Sequence, residues 1–212
     1  MGQVVALDTL LLDRKVWRGQ PVSLPAATQP TGFAPLDAAL PSGGWPESAL
    51  TELLLPADGV GELRLLLPTL ARLTQAKQDI VLVAPPYLPY PDGWRQAGVD
   101  FQRLHLVDAN PRDALWAMEQ CLRAGCVAAV LGWPRQADDR ALRRLQVASE
   151  TGQALGFAFR DARAAANPSP APLRIQFEQA QDGATQLRVL KCRGGLAPTR
   201  PIRFPQAMSP RS

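Results

Sequence analysis

Between residues 50 and 159 the chain repeats one alternation five times, and this constrains its fold more than any other feature. Five short runs, 50–55, 80–84, 104–107, 127–131 and 155–159, are almost wholly apolar. A strand that is apolar on both faces must be covered on both sides. Runs of this kind separated by helices therefore specify a mostly parallel sheet between helical layers. The intervening stretches read as helices. Residues 62–75 carry Leu63, Leu66, Leu67, Leu70 and Leu73 at helical spacing, with Pro68 expected to bend them. A short helix is expected over 94–97. Residues 113–124 follow Pro111, place Leu115, Met118 and Leu122 on one face and end at Gly125. Residues 138–152 open on a capping Asp138 and close near Gly152. After Pro172 the period changes to two over 173–177 and 187–190. Gln181-Asp182-Gly183 lies between them, so a hairpin closes the sheet.

The ends of the chain differ from this body. Residues 7–17, with Asp8 as a cap, form a helix that can carry Leu11, Leu12, Val16 and Trp17 along one side. A helix on a proline-interrupted linker to Pro30 either packs on its own domain or docks on another molecule; the reach of the linker favours docking. From Gly194 the periodicity fades. The expected organisation is a helix and linker over 1–30, an α/β core over 31–193, and a flexible, basic, Pro-rich tail over 194–212. The 212 residues, 46% hydrophobic and 20% charged, suffice for one globular core. No apolar run reaches the roughly 18 residues of a membrane span. With no basic-then-apolar leader and an odd count of three cysteines, a cytoplasmic protein with reduced thiols is expected. Net charge is +4, yet no acid follows Asp182. Arg188, Lys191, Arg193, Arg200, Arg203 and Arg211 lie beyond it, leaving the first 182 residues at −2. A basic end on a mildly acidic body suits an acidic partner, nucleic acid or protein, or simply solvent. Lys191, Arg193, Arg200 and Arg203, with the four apolar residues of the N-terminal helix, are the candidate partner contacts.

The strand–glycine turn–helix over 50–75 is where a phosphate-binding loop would sit. Such a loop needs glycines, a Lys for the β and γ phosphates, then Ser or Thr for magnesium. Gly59 and Gly61 are present, but Glu62 and Leu63 follow them. No Lys, Ser or Thr occurs between Leu53 and Pro68. Two like charges ~4 Å apart at an effective dielectric of ~20 repel by about 4 kcal/mol. The fourth run ends in Gly132 where a metal-holding Asp would be needed, and the second is followed by Pro85-Pro86 in place of a catalytic Glu. A non-enzymatic protein without a nucleotide cofactor is expected, the loop being vestigial. Other constellations are weak. Cys121 and Cys126 have poor ligand spacing and read as core thiols. His105, the single histidine, reads as core packing. Trp17, Trp94, Trp116 and Trp133 read as core or interface anchors. Arg140, Arg143 and Arg144 read as a solvated helix face. The loop Tyr87 to Tyr90 fits a partner contact or a stiff connection equally.

Several segments carry a resemblance. Thr31-Gly32-Phe33-Ala34-Pro35-Leu36-Asp37-Ala38-Ala39-Leu40, Gly43-Gly44-Trp45-Pro46 and Leu50-Thr51-Glu52 resemble the approach to the ATPase core of the RecA and RadA recombinases. Ala97-Gly98-Val99-Asp100, Leu122-Arg123-Ala124-Gly125 and Leu190-Lys191-Cys192-Arg193-Gly194-Gly195 are similar to later landmarks in the same order. Closer similarity is to the ImuA family, RecA-like and SulA-like proteins of bacterial mutasomes. It rests on Val5-Ala6-Leu7-Asp8, on the run from Leu54 to Arg64, on Val83 to Tyr90 and on Trp133 to Leu142. The resemblance implies a RecA-like three-layer fold. It also implies an accessory role in damage-induced mutagenic translesion synthesis (the SOS mutasome), with an ImuB-like inactive polymerase relative as partner. For some members RecA is a further partner, and an error-prone replicative polymerase subunit is an indirect one. The N-terminal helix resembles the recombinase element that docks on a neighbouring subunit, which leaves self-association open. The recombinase DNA loops correspond to 134–137 and 160–168, both short, which implies weak or indirect DNA contact. Alternatives of other classes are a SulA-like inhibitor of the tubulin-like division protein, a direct DNA-binding protein, and an ATPase whose site lies elsewhere.

Overall fold

The computed structural model describes residues 27, 29–88 and 90–205. The N-terminal helix expected over 7–17, with Leu11, Leu12, Val16 and Trp17, lies outside the described residues. The chain runs α1 (Ala34–Asp37), β1 (Leu50–Leu55), α2 (Glu62–Gln75), β2 (Ile80–Val83), α3 (Pro91–Gln96), β3 (Leu104–Val107), α4 (Ala114–Arg123), β4 (Ala129–Gly132), α5 (Asp139–Gly152), β5 (Leu155–Asp161), β6 (Leu173–Gln179), β7 (Thr185–Cys192) and β8 (Ile202–Arg203). Short 3-10 turns lie at Phe101–Arg103 and Ala162–Ala166. All eight strands form one sheet in the order β3-β2-β4-β5-β1-β6-β7-β8. The pairings from β3 through to β6 are parallel, while β6–β7 and β7–β8 are antiparallel.

The strands alternate between two cores, as the period-2 geometry of a strand requires. Leu53 and Leu55 of β1, with Ile80 and Leu82 of β2, meet Leu65, Leu66, Leu70 and Leu73 of α2 on one face. Leu50, Val81, Val83 and Val130 meet Met118 and Leu122 of α4 and Leu142 and Leu145 of α5 on the other. In α2 the buried stripe includes Leu65, whereas Leu63 and Leu67 are only partly buried. Pro68 does not interrupt the helix. Its ring faces Gly32, where a Cβ would come within 2.4 Å of Pro68 Cβ. The segment before β1 is thereby laid over α2. Trp45 completes the cover: it is fully buried, donates from Nε1 to Thr69 Oγ1 at 2.9 Å and meets Phe157 edge-on.

Four expectations differ from what is found. The run 104–107 is an edge strand, and Leu106 and His105 are exposed on it. His105 pairs with Asp79 at 3.1 Å in place of packing in the core. Its neighbours are apolar enough to mimic a buried strand, but the sheet ends there. Cys126 is exposed and Cys121 half-buried, because both flank the turn after α4; Cys192 alone is buried. Trp116 is exposed on α4, while Trp94 and Trp133 are buried. Finally, part of the expected tail returns to the core. Ile202 pairs with Leu187 and Arg203 with Gln186, and the next residue, Phe204, is buried. Its ring meets Phe33 at 5.5 Å and Phe177 at 5.9 Å, with the Arg64 guanidinium 5.5 Å from its centroid. Two paired residues are too few to register as periodicity, so one aromatic side chain carries the attachment. Phe204→Ala is expected to lower stability by about 3 kcal/mol, read as a shift of the urea midpoint; a free tail would give no shift.

Candidate functional site: the carboxyl edge of the sheet

In open α/β sheets ligands bind beyond the carboxyl ends of the strands, and the chemistry-bearing residues gather there in this chain too. After β1 the turn places Gly59 at φ 78° and Gly61 at φ 90°, backbone that favours glycine. The Gly59 N–H donates to Glu62 Oε1 at 3.3 Å, and Glu62 is 3% exposed. The carboxylate is thus turned back into its own turn, at the N-terminus of α2. It occupies a backbone donor of the kind that phosphate oxygens take in a phosphate loop. Leu63 packs against the core beside it.

The end of β4 explains its glycine. A Cβ on Gly132 would come within 2.5 Å of Met118 Sδ, so a larger residue at that position requires the Met118 side chain to move. Trp133 follows and stacks on Phe159 of β5, with ring centroids 4.7 Å apart and planes at 17°. Beyond β2, Ala84 takes φ 47° and donates to Val107 O at 2.9 Å, which turns the chain into Pro85-Pro86.

Under this edge lies a buried ionic cluster. Glu52, in the middle of β1, is fully buried. Its Oε1 accepts from Arg160 Nη1 at 2.6 Å and its Oε2 from Arg174 Nε at 2.7 Å. Arg160 also donates to Ala137 O at 2.5 Å. Arg174 donates to Ala164 O at 2.8 Å and to Asn167 O at 3.1 Å. Two guanidiniums thus share one carboxylate and clamp both connections expected to correspond to DNA loops, 134–137 and 160–168. At the surface, Asp58 pairs with Arg135 and Asp161 with Arg163. The Arg163 side chain first, and its backbone N–H second, hold the Asp161 carboxyl well below the usual carboxylate range.

Two clefts open at this edge. One, of about 430 Å³, lies between the ends of β1 and β5 and includes Asp58, Arg135, Arg160 and Arg163. The other, of about 520 Å³, lies beyond β2 and β4 and includes Pro85, Pro86, Leu115 and Trp133. Among the described residues no group of three or more His, Cys, Asp or Glu side chains could hold a metal ion, and no helix is long and apolar enough to cross a membrane.

The basic residues singled out in the sequence are not gathered at one place. Lys191 and Arg193 are exposed at the end of β7, and Lys191 Nζ donates to Ser169 O at 2.8 Å. Partial burial first, then Arg174 and Arg193, push the Lys191 ammonium below its ordinary pKa. Arg203 stands opposite Gln186, about 17 Å back along β7 at the usual rise per residue, and pairs with Asp182. Arg200 is exposed in the loop between β7 and β8. Sequence reading took Trp133 only as a core or interface anchor and passed over Arg135, Arg160 and Arg163. The signal available was their place immediately after β4 and β5, in Gly-Trp-Pro-Arg and Phe-Arg-Asp-Ala-Arg.

Against known proteins, the family described as Cell division inhibitor SulA matches residues 49–156, half of the chain. The chain belongs to the SulA family. Curated SulA proteins of Yersinia pestis (strain Pestoides F) and Yersinia pseudotuberculosis (serotype O:1b, strain IP 31758), each described as "Cell division inhibitor SulA", are 31% identical over 99 residues. The match covers 46% of this chain and 58% of each relative. The chain therefore spans less than two thirds of the length of the SulA proteins it matches. The crystal structure of SulA from Pseudomonas aeruginosa aligns with 52% of this chain and 96% of its own, at 29% identity and a TM-score of 0.44.

In the ionic cluster, Glu52→Leu would leave two buried cations without their carboxylate. It is expected to lower stability by about 3–5 kcal/mol. The triple replacement Glu52→Leu, Arg160→Met, Arg174→Met should recover much of that loss. Denaturant midpoints of the two variants check this.

Proposed function

We propose that this protein is a non-catalytic, cytoplasmic member of the SulA family that acts by contact with other proteins, as an inhibitor of cell division bound to the tubulin-like division protein. The observation that carries the non-catalytic part is the Glu62 carboxylate, buried in the turn and bonded to the Gly59 N–H. A triphosphate entering there would meet an anion where it needs an ammonium, and would have to displace it. The choice of partner is supported by the match over 49–156, which takes in β1 to β4 with α2 to α5.

A second reading, an accessory factor of the SOS mutasome, is favoured by what lies outside that match. Strands β6, β7 and β8 extend the sheet, and residues 31–45 are packed onto α2 through Trp45 and Thr69. Residues 31–46 and the end of β7 are among the segments whose sequence resembles the recombinase core. In this reading the partners are an ImuB-like polymerase relative and RecA, with a replicative-type polymerase subunit reached indirectly and DNA held weakly.

Overproduction in growing cells is expected to give long filaments, and the purified protein to suppress sedimentable polymer of the division protein. Normal cell length together with recovery of an ImuB-like protein in pull-downs from DNA-damaged cells would transfer the assignment to the second reading. Isothermal titration with ATP and magnesium is expected to show no binding. Micromolar binding that Glu62→Ala alters would overturn the non-catalytic reading.

A further inference from the structure

Three buried side-chain polar atoms among the described residues have no hydrogen-bond partner: Glu62 Oε2, Trp133 Nε1 and Arg160 Nε. Unmatched buried groups are rare in folded proteins and costly to keep. These three are not scattered. They stand at or just beyond the ends of β1, β4 and β5, which are neighbours in the sheet. Two of the three are donors, and each belongs to the wall of one of the two clefts: Arg160 to the first and Trp133 to the second. Arg135 belongs to both walls, so the clefts adjoin at its ion pair with Asp58.

The two clefts differ in chemistry. In the first, Asp58 and Asp161 are already committed to Arg135 and Arg163, and the single Glu52 carboxylate is divided between Arg160 and Arg174. The unmatched charge there is positive. The second is walled by prolines and Leu115. Apolar surface continues beyond it. Tyr87 and Leu88, next to Pro86, are 70% and 81% exposed, and Trp116, next to Leu115, is 63% exposed. A groove of this size and composition that opens onto exposed aromatic surface suits a polypeptide better than a small molecule. A nucleic acid fits less well, because Asp58 and Asp161 line the cationic cleft and the adjoining walls are proline and leucine.

We propose that the adjoining clefts form one docking groove for an extended, acidic and apolar segment of a partner protein. An apolar side chain enters the proline-walled cleft and a neighbouring carboxylate lies over Arg163; the walls part on binding, so that a peptide carbonyl reaches Trp133 Nε1 and the carboxylate reaches Arg160 Nε, both covered in the free protein. This rests on the protein-contact reading above and adds the chemistry of the partner.

The test uses the full ¹⁵N-labelled chain, following the indole N–H signal of Trp133 and the Nε–H signal of Arg160. A capped Glu-Leu-Glu-Leu-Glu peptide is expected to move both signals to saturation, whereas Lys-Leu-Lys-Leu-Lys and oligothymidylate move neither. Trp133→Phe keeps an aromatic ring and removes the donor. It is expected to weaken the peptide about threefold to tenfold, read on the folded variant below its thermal midpoint. Arg163→Ala, at an exposed position, should weaken the peptide about twofold to fivefold. Silence of both signals with the acidic peptide, equal response to the lysine peptide, or a response to oligothymidylate would each overturn the proposal. Cell length and polymer sedimentation do not use these probes, so failure of the groove and failure of the division-inhibitor reading are separable.

Discussion

One carboxylate holds the middle of this sheet together. Glu52 lies in a strand that is otherwise apolar or hydroxylic, and it is reached by arginines 108 and 122 residues further along the chain. Buried ion pairs contribute little net stability, because removing charges from water costs about what their attraction returns. Their effect here is geometric. With Glu52 satisfied on both oxygens, β1 is tied to β5 on one side and β6 on the other. The spare N–H groups of the two guanidiniums then fix carbonyls in the connections after β4 and β5. Segments that hydrophobic packing alone would leave loose at the carboxyl edge are held by hydrogen bonds from beneath.

That clamp was the least legible part of the sequence, and the reason is physical. Local signals travel a few residues: apolar runs for β1 and β2, leucine spacing for α2, the Asp138 carboxylate accepting from the Ala141 N–H to cap α5, Asp-Gly at the hairpin. Each was readable, and the elements fall close to where those signals put them. A contact across more than a hundred residues leaves no local trace: Arg160 falls at the start of an expected loop and Arg174 within the alternating run 173–177. The same limit explains β3 and β8. Whether an apolar run is central or at an edge depends on the order of strands, which periodicity does not encode. A two-residue strand anchored by Phe204 has too little length to show a period.

The candidate site divides along the same line. The glycine turn was readable because it depends on neighbours in sequence, Gly59, Gly61 and Glu62. That Glu62 would fold inward and take the Gly59 N–H was not, since the identity of a residue does not give its rotamer. The clefts on either side of Arg135 depend on three strand ends meeting, and so became visible only with the sheet order. Strands β6 to β8 and residues 31–45 carry the chain past the region that the SulA family match covers.

Gly132 is kept small by one neighbouring side chain. A Cβ there would come within 2.5 Å of Met118 Sδ, so any larger residue makes Met118 swing aside or shrink, and a shortened Met118 would leave a void in a packed core. The sizes of residues 118 and 132 are thereby coupled, and a change at one is felt at the other.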